Sequence, residues 1–328
     1  MRVLVTGGAG YIGSTLSNLL LDMGHEVTII DNLSRGMKKN IPKLADFYKI
    51  DISNKKKLNI IFSKKKIQIV IHFAAYIDNE ESIKQPDLYL KNNYLKAKIF
   101  IECCIKNNVK AFIFSSTAAV YGNKDKPIKE NDRLDPMTPY SKLKLKLEKF
   151  LEKKKNLISC VILRYFNVAG CDQKLRSGFS IRNNRNLILN LCLSSIKKKI
   201  FIINGQNYNT KDGSPIRDYI HVEDLARIHL LIAKLAINKK LFQIVNCGYG
   251  RGYSVKEILL KFNSISNNKI LYKFGKRRKN DIVTSISDTK KLIKLIKWKP
   301  KYNSLTKVLQ SSLDWYKKCN DRKNDLIQ

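Results

Sequence analysis

Tyr140-Ser141-Lys142-Leu143-Lys144 sets a phenol and an ammonium at positions i and i+4, on one face of a helix. An ammonium near a phenol favours the phenolate and lowers its pKa from about 10 toward working pH. A tyrosine so poised can take a proton from a hydroxyl group and return it. The hydroxyl of Thr117, closing the run Ser115-Ser116-Thr117, is placed to complete a hydrogen-bond relay. A tyrosine and a lysine four apart are also a common accident, so the pair gains meaning only from the elements that would position it.

Those elements begin at residue 3. Val3 to Val5 is a short apolar run, suited to a buried strand, and Tyr11 to Met23 carries apolar residues at helical spacing. Between them stand Gly7, Gly10 and Gly13. Strand, glycine turn and helix form the context in which such glycines hold a dinucleotide. A residue without Cβ lets the backbone approach a pyrophosphate, and the helix start offers free N–H groups and partial positive charge. The next strand, Glu26 to Ile30, ends at Asp31, 18 residues beyond Gly13, close to the ~20 expected for an acid that grips a ribose hydroxyl. A carboxylate there repels a 2′-phosphate, so the expected cofactor is NAD. Its oxidised nicotinamide would add positive charge beside Tyr140.

Strands and helices alternate onward. Strands are expected at Asp46 to Lys49, Ile67 to Phe73, Ala111 to Phe114 and Leu157 to Arg164. Helices are expected over Ser82 to Asn107, restarting at Pro86, and over Pro139 to Lys154. Fully apolar strands in alternation predict a Rossmann-type doubly wound parallel sheet covered on both faces. Residues 1–170 are assigned to that domain and 171–328 to a smaller α/β substrate-binding domain, with a soft boundary that later elements cross. In the second part, helices are predicted at Leu187 to Ile196, Val222 to Leu235 and Leu305 to Lys318, with a strand at Phe242 to Asn246. A capping box at Ser254 and Glu257 opens a further helix.

The net charge is +36, with 50 lysines against 13 arginines. Lysine, asparagine and isoleucine share A/T-rich codons, and the lysines interleave with apolar residues as solvated helix faces do. Specific nucleic-acid binding is therefore not expected; salt-sensitive attraction of an anionic substrate is. Seven scattered cysteines and four histidines show no zinc spacing, so no metal is expected. No apolar run reaches the ~18 residues of a membrane span, and no signal peptide is visible, so the expected compartment is the cytoplasm.

These motifs resemble the extended short-chain dehydrogenase/reductase superfamily and, within it, the UDP-glucose 4-epimerases. The resemblance runs from Val3 to about Tyr316. It is carried by Thr6-Gly7-Gly8-Ala9-Gly10-Tyr11-Ile12-Gly13-Ser14, Asp31-Asn32, Val70-Ile71-His72-Phe73-Ala74-Ala75, Phe114 to Gly122, Pro139 to Lys142 and Leu163 to Gly170. The stretch Asp212 to Ala226, with Arg217-Asp218-Tyr219-Ile220-His221, is the most epimerase-like. The resemblance implies an NAD-dependent inversion of C4 in a UDP-hexose through a transient 4-keto sugar, with Tyr140, Lys144 and Thr117 catalytic. It implies NAD contacts from Tyr11, Ile12, Asp31, Asn32, Asp51, Ile52, Phe73, Ala74, Ala75, Asn92, Phe166, Tyr140 and Lys144, beside the glycines. It implies UDP-sugar contacts from Thr117, Asn167, Arg217, Arg278 and Asp281, with Asn186 and Leu187 as provisional members. It also implies a homodimer, touching through helices near Leu88 to Asn107 and Ser141 to Lys154. Plainer readings stand beside three of these: Asp51 as a helix cap, Asn167 as a turn residue, Arg278 as solvated charge.

The chain departs from the family pattern at Asn280, where glycine is usual, and in the basic stretch Gln173 to Asn186. Ser285 falls where the sugar pocket is bounded near its N-acyl end, and a small residue there predicts room for an N-acetyl group. Ala118-Ala119 stand where a 4,6-dehydratase carries an acidic pair, which argues against dehydration. A UDP-uronic acid 4-epimerase remains an alternative; a non-catalytic NAD-binding regulator or a basic nucleic-acid-binding protein is opposed by the intact Thr117, Tyr140 and Lys144.

Overall fold

In the computed structural model, residues 1–179, 186–266, 268–278 and 281–321 are described. The first half runs β1 (Arg2–Thr6), α1 (Tyr11–Asp22), β2 (Glu26–Ile30), β3 (Asp46–Tyr48), α2 (Lys55–Lys65), β4 (Ile69–His72), α3 (Asn79–Lys84), α4 (Pro86–Tyr89), α5 (Lys96–Lys106), β5 (Ala111–Thr117), α6 (Pro139–Lys153) and β6 (Ser159–Tyr165). The second half runs β7 (Asn167–Ala169), α7 (Leu187–Lys197), β8 (Phe201–Asn204), β9 (Ile216–His221), α8 (Val222–Asn238), β10 (Phe242–Cys247), β11 (Gly252–Ser254), α9 (Val255–Ile265), β12 (Tyr272–Gly275), β13 (Thr284–Ser285), α10 (Lys290–Ile296) and α11 (Leu305–Asp321).

Seven strands form one parallel sheet in the order β10-β6-β5-β4-β1-β2-β3. The order reverses between β1 and β4, the place where doubly wound sheets open a crevice at their carboxyl ends. Alternation along β1 feeds both faces. Val3 and Val5 join a core under α1 and α8, while Leu4 joins the opposite core under α2, α5 and α6. A strand buried on both sides has no polar face, which is why these strands read as unbroken apolar runs.

The chain crosses the residue-170 division more than once, because β10 and α8 pack into the first sheet's layers. The remaining strands build a small sheet in which β9 is flanked by β11 and β13 and also pairs with β7, and a β8–β12 ribbon. Helices α7, α9 and α11 cover a third core around Leu191, Phe262 and Leu309. Strand β6 passes through Phe166 alone into β7, so one extended segment belongs to both sheets.

The helix predicted over Ser82 to Asn107 is broken twice. It restarts at Pro86 as expected, then widens into a π-helical segment at Leu90–Leu95 before α5. The capping box at Ser254 and Glu257 is present, and a second one, Thr138 with Ser141, opens α6. The short strands β7, β8, β11, β12 and β13 were not foreseen, since two to four residues carry no measurable periodicity. Among the described residues no helix is long and apolar enough to cross a membrane, and no group of side chains could hold a metal ion.

At Gly13 a Cβ would lie 2.4 Å from the Gly7 carbonyl oxygen, against backbone that cannot yield. Gly13→Ala is expected to destabilise the fold by about 1–3 kcal/mol through overpacking, read as a lowered urea midpoint. An unchanged midpoint would show that the turn is slack.

Candidate active site

The glycine turn is shaped for close approach. Gly7 has φ +71°, and a Cβ there would meet the backbone of Ala74 at 2.8 Å. Gly10 caps α1 without a side-chain hydrogen bond. The first N–H groups of α1 therefore face outward unmet by the helix itself, at the positive end of its dipole. This cradle fits a pyrophosphate. Tyr11 and Ile12 open the helix, and the buried Tyr11 hydroxyl donates to the Gly170 carbonyl at 2.5 Å. Burial holds that phenol well above its ordinary pKa.

Asp31 ends β2 beside the cradle. Its carboxylate accepts from the N–H groups of Ala9 (3.0 Å) and Leu33 (2.8 Å), and burial raises its pKa against those bonds. Asn32 donates to Asp51 at 3.3 Å. Asp51 is not a helix cap, since Asn54 caps α2; it pairs with Lys96 at 2.5 Å and accepts from Ser53. Burial opposes ionisation of Asp51, but those partners hold its pKa down at about 2. The Ile52 side chain lies in the core. Phe73, Ala74 and Ala75 leave β4 past the glycine turn, the Phe73 ring 5.1 Å from the His229 ring. Asn92 sits in the π-helical segment and donates to Asn93 at 3.1 Å. Asn93 in turn clamps both backbone groups of Tyr76, fixing the loop after β4.

Thr117, Tyr140 and Lys144 meet. Thr138 and Pro139 start α6 so that Tyr140 stands in its first turn, 8% exposed, close enough to the Thr117 side chain for that group to lower the phenol's pKa. Lys144, one turn on, lies 4% exposed with Nζ 5.9 Å from the Tyr140 ring centroid and 4.8 Å from that of Phe114. The electrostatics differ from the expectation. Burial pushes the phenol up to about 12 against the lowering influence of Thr117, and pulls Lys144 down to about 7 against the favourable charge of Glu148. Two causes explain it. Nζ is drawn 2.6 Å from the Ser115 carbonyl and so stands off the phenol, and a dry site disfavours whichever form is charged.

The opposite wall follows from the β6–β7 segment. Thr117 is in register with Tyr165, Phe166 is buried next in line, and the exposed Asn167 opens β7 beside Tyr219 of β9. Arg217 of β9 pairs with Asp281 at 2.8 Å and stands in register with the buried Ser285 of β13. Tyr208 donates to Asp281 at 2.8 Å. Four substrate-side predictions thus gather on one small sheet and its border. Others stand on different elements bordering that sheet. Arg278 is exposed, and its carbonyl accepts from the Asp281 N–H at 3.4 Å. Asn186 is the cap of α7, accepting from the Leu189 N–H at 3.1 Å, and Leu187 is the first residue of that helix. Asn280 and residues 180–185 of the basic stretch lie outside the described residues.

Several contributors went unnoticed in the sequence: the Ser115 carbonyl, Lys96, Asn93, Tyr208 and the Glu148–Arg164 pair. The last had a signal. Glu148 repeats the four-residue spacing of Tyr140 and Lys144, and Arg164 is a charge inside an otherwise apolar strand.

Comparison with known proteins gives a consistent answer. The NAD dependent epimerase/dehydratase family matches residues 3–248. The UDP-glucose 4-epimerase of Halalkalibacterium halodurans is 37% identical over 321 residues, covering 97% of this chain and 96% of that one. Among solved structures, the UDP-glucose-4-epimerase of Stenotrophomonas maltophila, with bound NAD and formylated UDP-arabinopyranose, superposes with a TM-score of 0.95 at 29% identity, covering 98% and 99% of the two chains. The UDP-Glc/GlcNAc 4-epimerase of Campylobacter jejuni gives a TM-score of 0.82 at 35% identity, covering 97% and 99%.

The buried lysine makes stability depend on pH. Its folded pKa, about 7, lies below the ordinary 10.5, so between those values the unfolded chain binds more protons and stability from this group rises with pH. In urea unfolding across that window, wild type is expected to gain stability relative to Lys144→Met by up to about 1.4 kcal/mol per pH unit, with a constant difference below it. Parallel curves would refute the buried charge.

Proposed function

The chain belongs to the NAD dependent epimerase/dehydratase family, at the level of the UDP-glucose 4-epimerases, and on that premise we propose how its residues carry the reaction. It is an NAD-dependent epimerase that inverts C4 of a UDP-hexose, interconverting UDP-galactose and UDP-glucose through a 4-keto sugar. The observation that carries the residue assignments is the convergence of Thr117, Tyr140 and Lys144 at the end of β5 and start of α6, with the β6–β7 segment running from there to Arg217 and Ser285.

In this reading the cradle of Gly7, Gly10 and Gly13 and the N–H groups of Tyr11 and Ile12 hold the pyrophosphate of NAD, and Asp31 selects against a 2′-phosphate. Asn32, Asp51, Ile52, Phe73, Ala74, Ala75, Asn92 and Phe166 line the rest of the cofactor crevice. NAD, when bound, supplies the redox chemistry at C4 and an added positive charge beside the phenol. Tyr140 takes the C4 hydroxyl proton and returns it after the keto sugar turns over. Thr117 orients that hydroxyl and the phenol, a role supported by its influence on the Tyr140 pKa. Lys144 supplies the charge that favours phenolate. Arg217 and Arg278 meet the diphosphate, whose geometry suits guanidinium forks, and Asp281 and Asn167 hold the rest of the nucleotide sugar. Asn186 and Leu187 join them at the start of α7. The sheet of residues 1–170 with its later additions carries the cofactor; the β9 sheet and its helices carry the UDP-sugar. We also infer a cytoplasmic homodimer that meets through α5 and α6; the 47% exposed Leu95, which ends the π-helical segment just before α5, supports that contact.

Purified protein mixed with UDP-galactose is expected to form UDP-glucose without added NAD. Tyr140→Phe is expected to lower kcat about 10²–10⁴-fold. Absence of product even with NAD supplied would overturn the reading.

The small, buried Ser285 in register with Arg217 supports acceptance of UDP-N-acetylglucosamine as well. Ser285→Tyr is expected to cut turnover of the acetylated sugar by roughly tenfold or more relative to UDP-galactose. Wild type that turns over no acetylated sugar would end this part of the proposal.

A further inference from the structure

A buried ammonium needs a counter-charge, and of the groups described above only Glu148 can supply it. Glu148 lies four residues beyond Lys144 on the same face of α6, 3% exposed. It is gripped from two further strands. Arg164 of β6, itself 2% exposed, donates from Nη2 to Oε2 at 2.6 Å and from Nε to Oε1 at 3.1 Å, a two-point contact. The Ser116 hydroxyl of β5 donates to Oε1. Behind it, Arg164 Nη1 donates to the Tyr121 hydroxyl at 2.8 Å and to the Glu130 carbonyl at 3.2 Å, and Tyr121 donates to Asn246 of β10 at 2.7 Å. The carboxylate is therefore fixed in place by bonds that reach across three adjacent strands.

A buried ion pair is a poor device for stability alone, because an apolar pair of similar volume often serves as well or better. Its placement suggests another use. The groups facing Lys144 among the described residues are Tyr140 and Glu148 from α6, Phe114 and the Ser115 carbonyl from β5, and His72 from β4. His72 is kept uncharged by burial and by Lys144 itself, with Nδ1 bonded to Thr6. The Tyr140 phenol is protonated at neutral pH, and the buried Cys160 thiol near Glu148 is too. Glu148 is the one anion in that set, and Arg164 stands behind it.

We propose that Glu148, locked by Arg164 and Ser116, is a positioning residue that keeps Lys144 an ammonium beneath the catalytic phenol. Only the consequence for turnover rests on the epimerase reading; the charge state of Lys144 does not. Without the carboxylate, Lys144 faces a dry wall and an uncovered guanidinium, and both favour the neutral amine. An amine can still accept or donate a hydrogen bond but no longer draws the phenolate.

The test is a pH titration of Lys144 in purified NAD-loaded protein by NMR of ¹³Cε-labelled lysine, with the signal assigned by its loss in Lys144→Arg. Glu148→Gln keeps shape and removes charge. Its Lys144 midpoint is expected to fall by about one pH unit or more, a tenfold weaker proton affinity. The alkaline limb of kcat for UDP-galactose should move down with it, while KM changes little. An unmoved midpoint in a folded Glu148→Gln protein overturns the proposal. Where that variant does not fold, Glu148→Gln combined with Arg164→Met removes the orphaned charge and is read in the same way. Failure of both to fold also overturns it, in favour of a purely structural pair. Wild type that leaves UDP-galactose unchanged would defeat the epimerase reading while the lysine titration still stands.

Discussion

A lysine ammonium held out of water is the constraint around which the catalytic half of this structure is arranged. The end of β5 supplies a carbonyl for it at Ser115, α6 supplies the phenol it serves, and β6 supplies the guanidinium that steadies its counter-ion. Each contribution comes from a different strand or helix, so the charge is tolerable only in the finished sheet. In the protein alone, burial wins over charge coupling: the phenol is pushed up and the lysine down. The spacing of Tyr140 and Lys144 is therefore not by itself an activated pair. Activation needs further positive charge beside the phenol, and the crevice between β1 and β4 is built to admit a cofactor that carries it.

The site's two halves are held together with little linker. One residue, Phe166, separates the last residue of β6 from the first of β7. A shift of the small sheet against the large one would have to bend that extended segment, whose neighbours Tyr165 and Asn167 are both in register with partners. The distance between the Tyr140 phenol and the residues of β9 and β13 is thus fixed by backbone hydrogen bonds, more firmly than by a loop. The Tyr11 hydroxyl adds a second tie, reaching from the glycine turn to Gly170 just beyond β7.

The large sheet was legible in the sequence because its physics is local. Strands such as Ile69–His72 are apolar on both faces, and glycines at Gly7 and Gly13 stand where only a bare backbone fits. The glycine turn and Asp31 at the end of β2 were legible for the same reason. What escaped was long-range. The pairing of Asp51 with Lys96 spans 45 residues, and that of Arg217 with Asp281 spans 64, so no window of sequence shows either. The strands β7 and β13, at three and two residues, are extended only because each pairs with β9. The phenol's pKa was misjudged because spacing reports proximity, whereas burial depends on the whole fold.

Asn186 shows how a family expectation and a local role can coincide on one residue. Its side chain accepts the Leu189 N–H, which satisfies one of the free donors at the start of α7. The amide nitrogen of the same side chain is left over by that bond, and the residue borders a small cavity shared with Tyr11, Gly170 and Trp315. A cap tolerates serine, aspartate or threonine almost equally, but only asparagine or glutamine also presents an amide donor. If capping were the whole role, Asn186→Ser would leave both the fold and KM intact. If the amide also meets the nucleotide, KM alone would rise, because the helix would remain capped while a binding donor was lost.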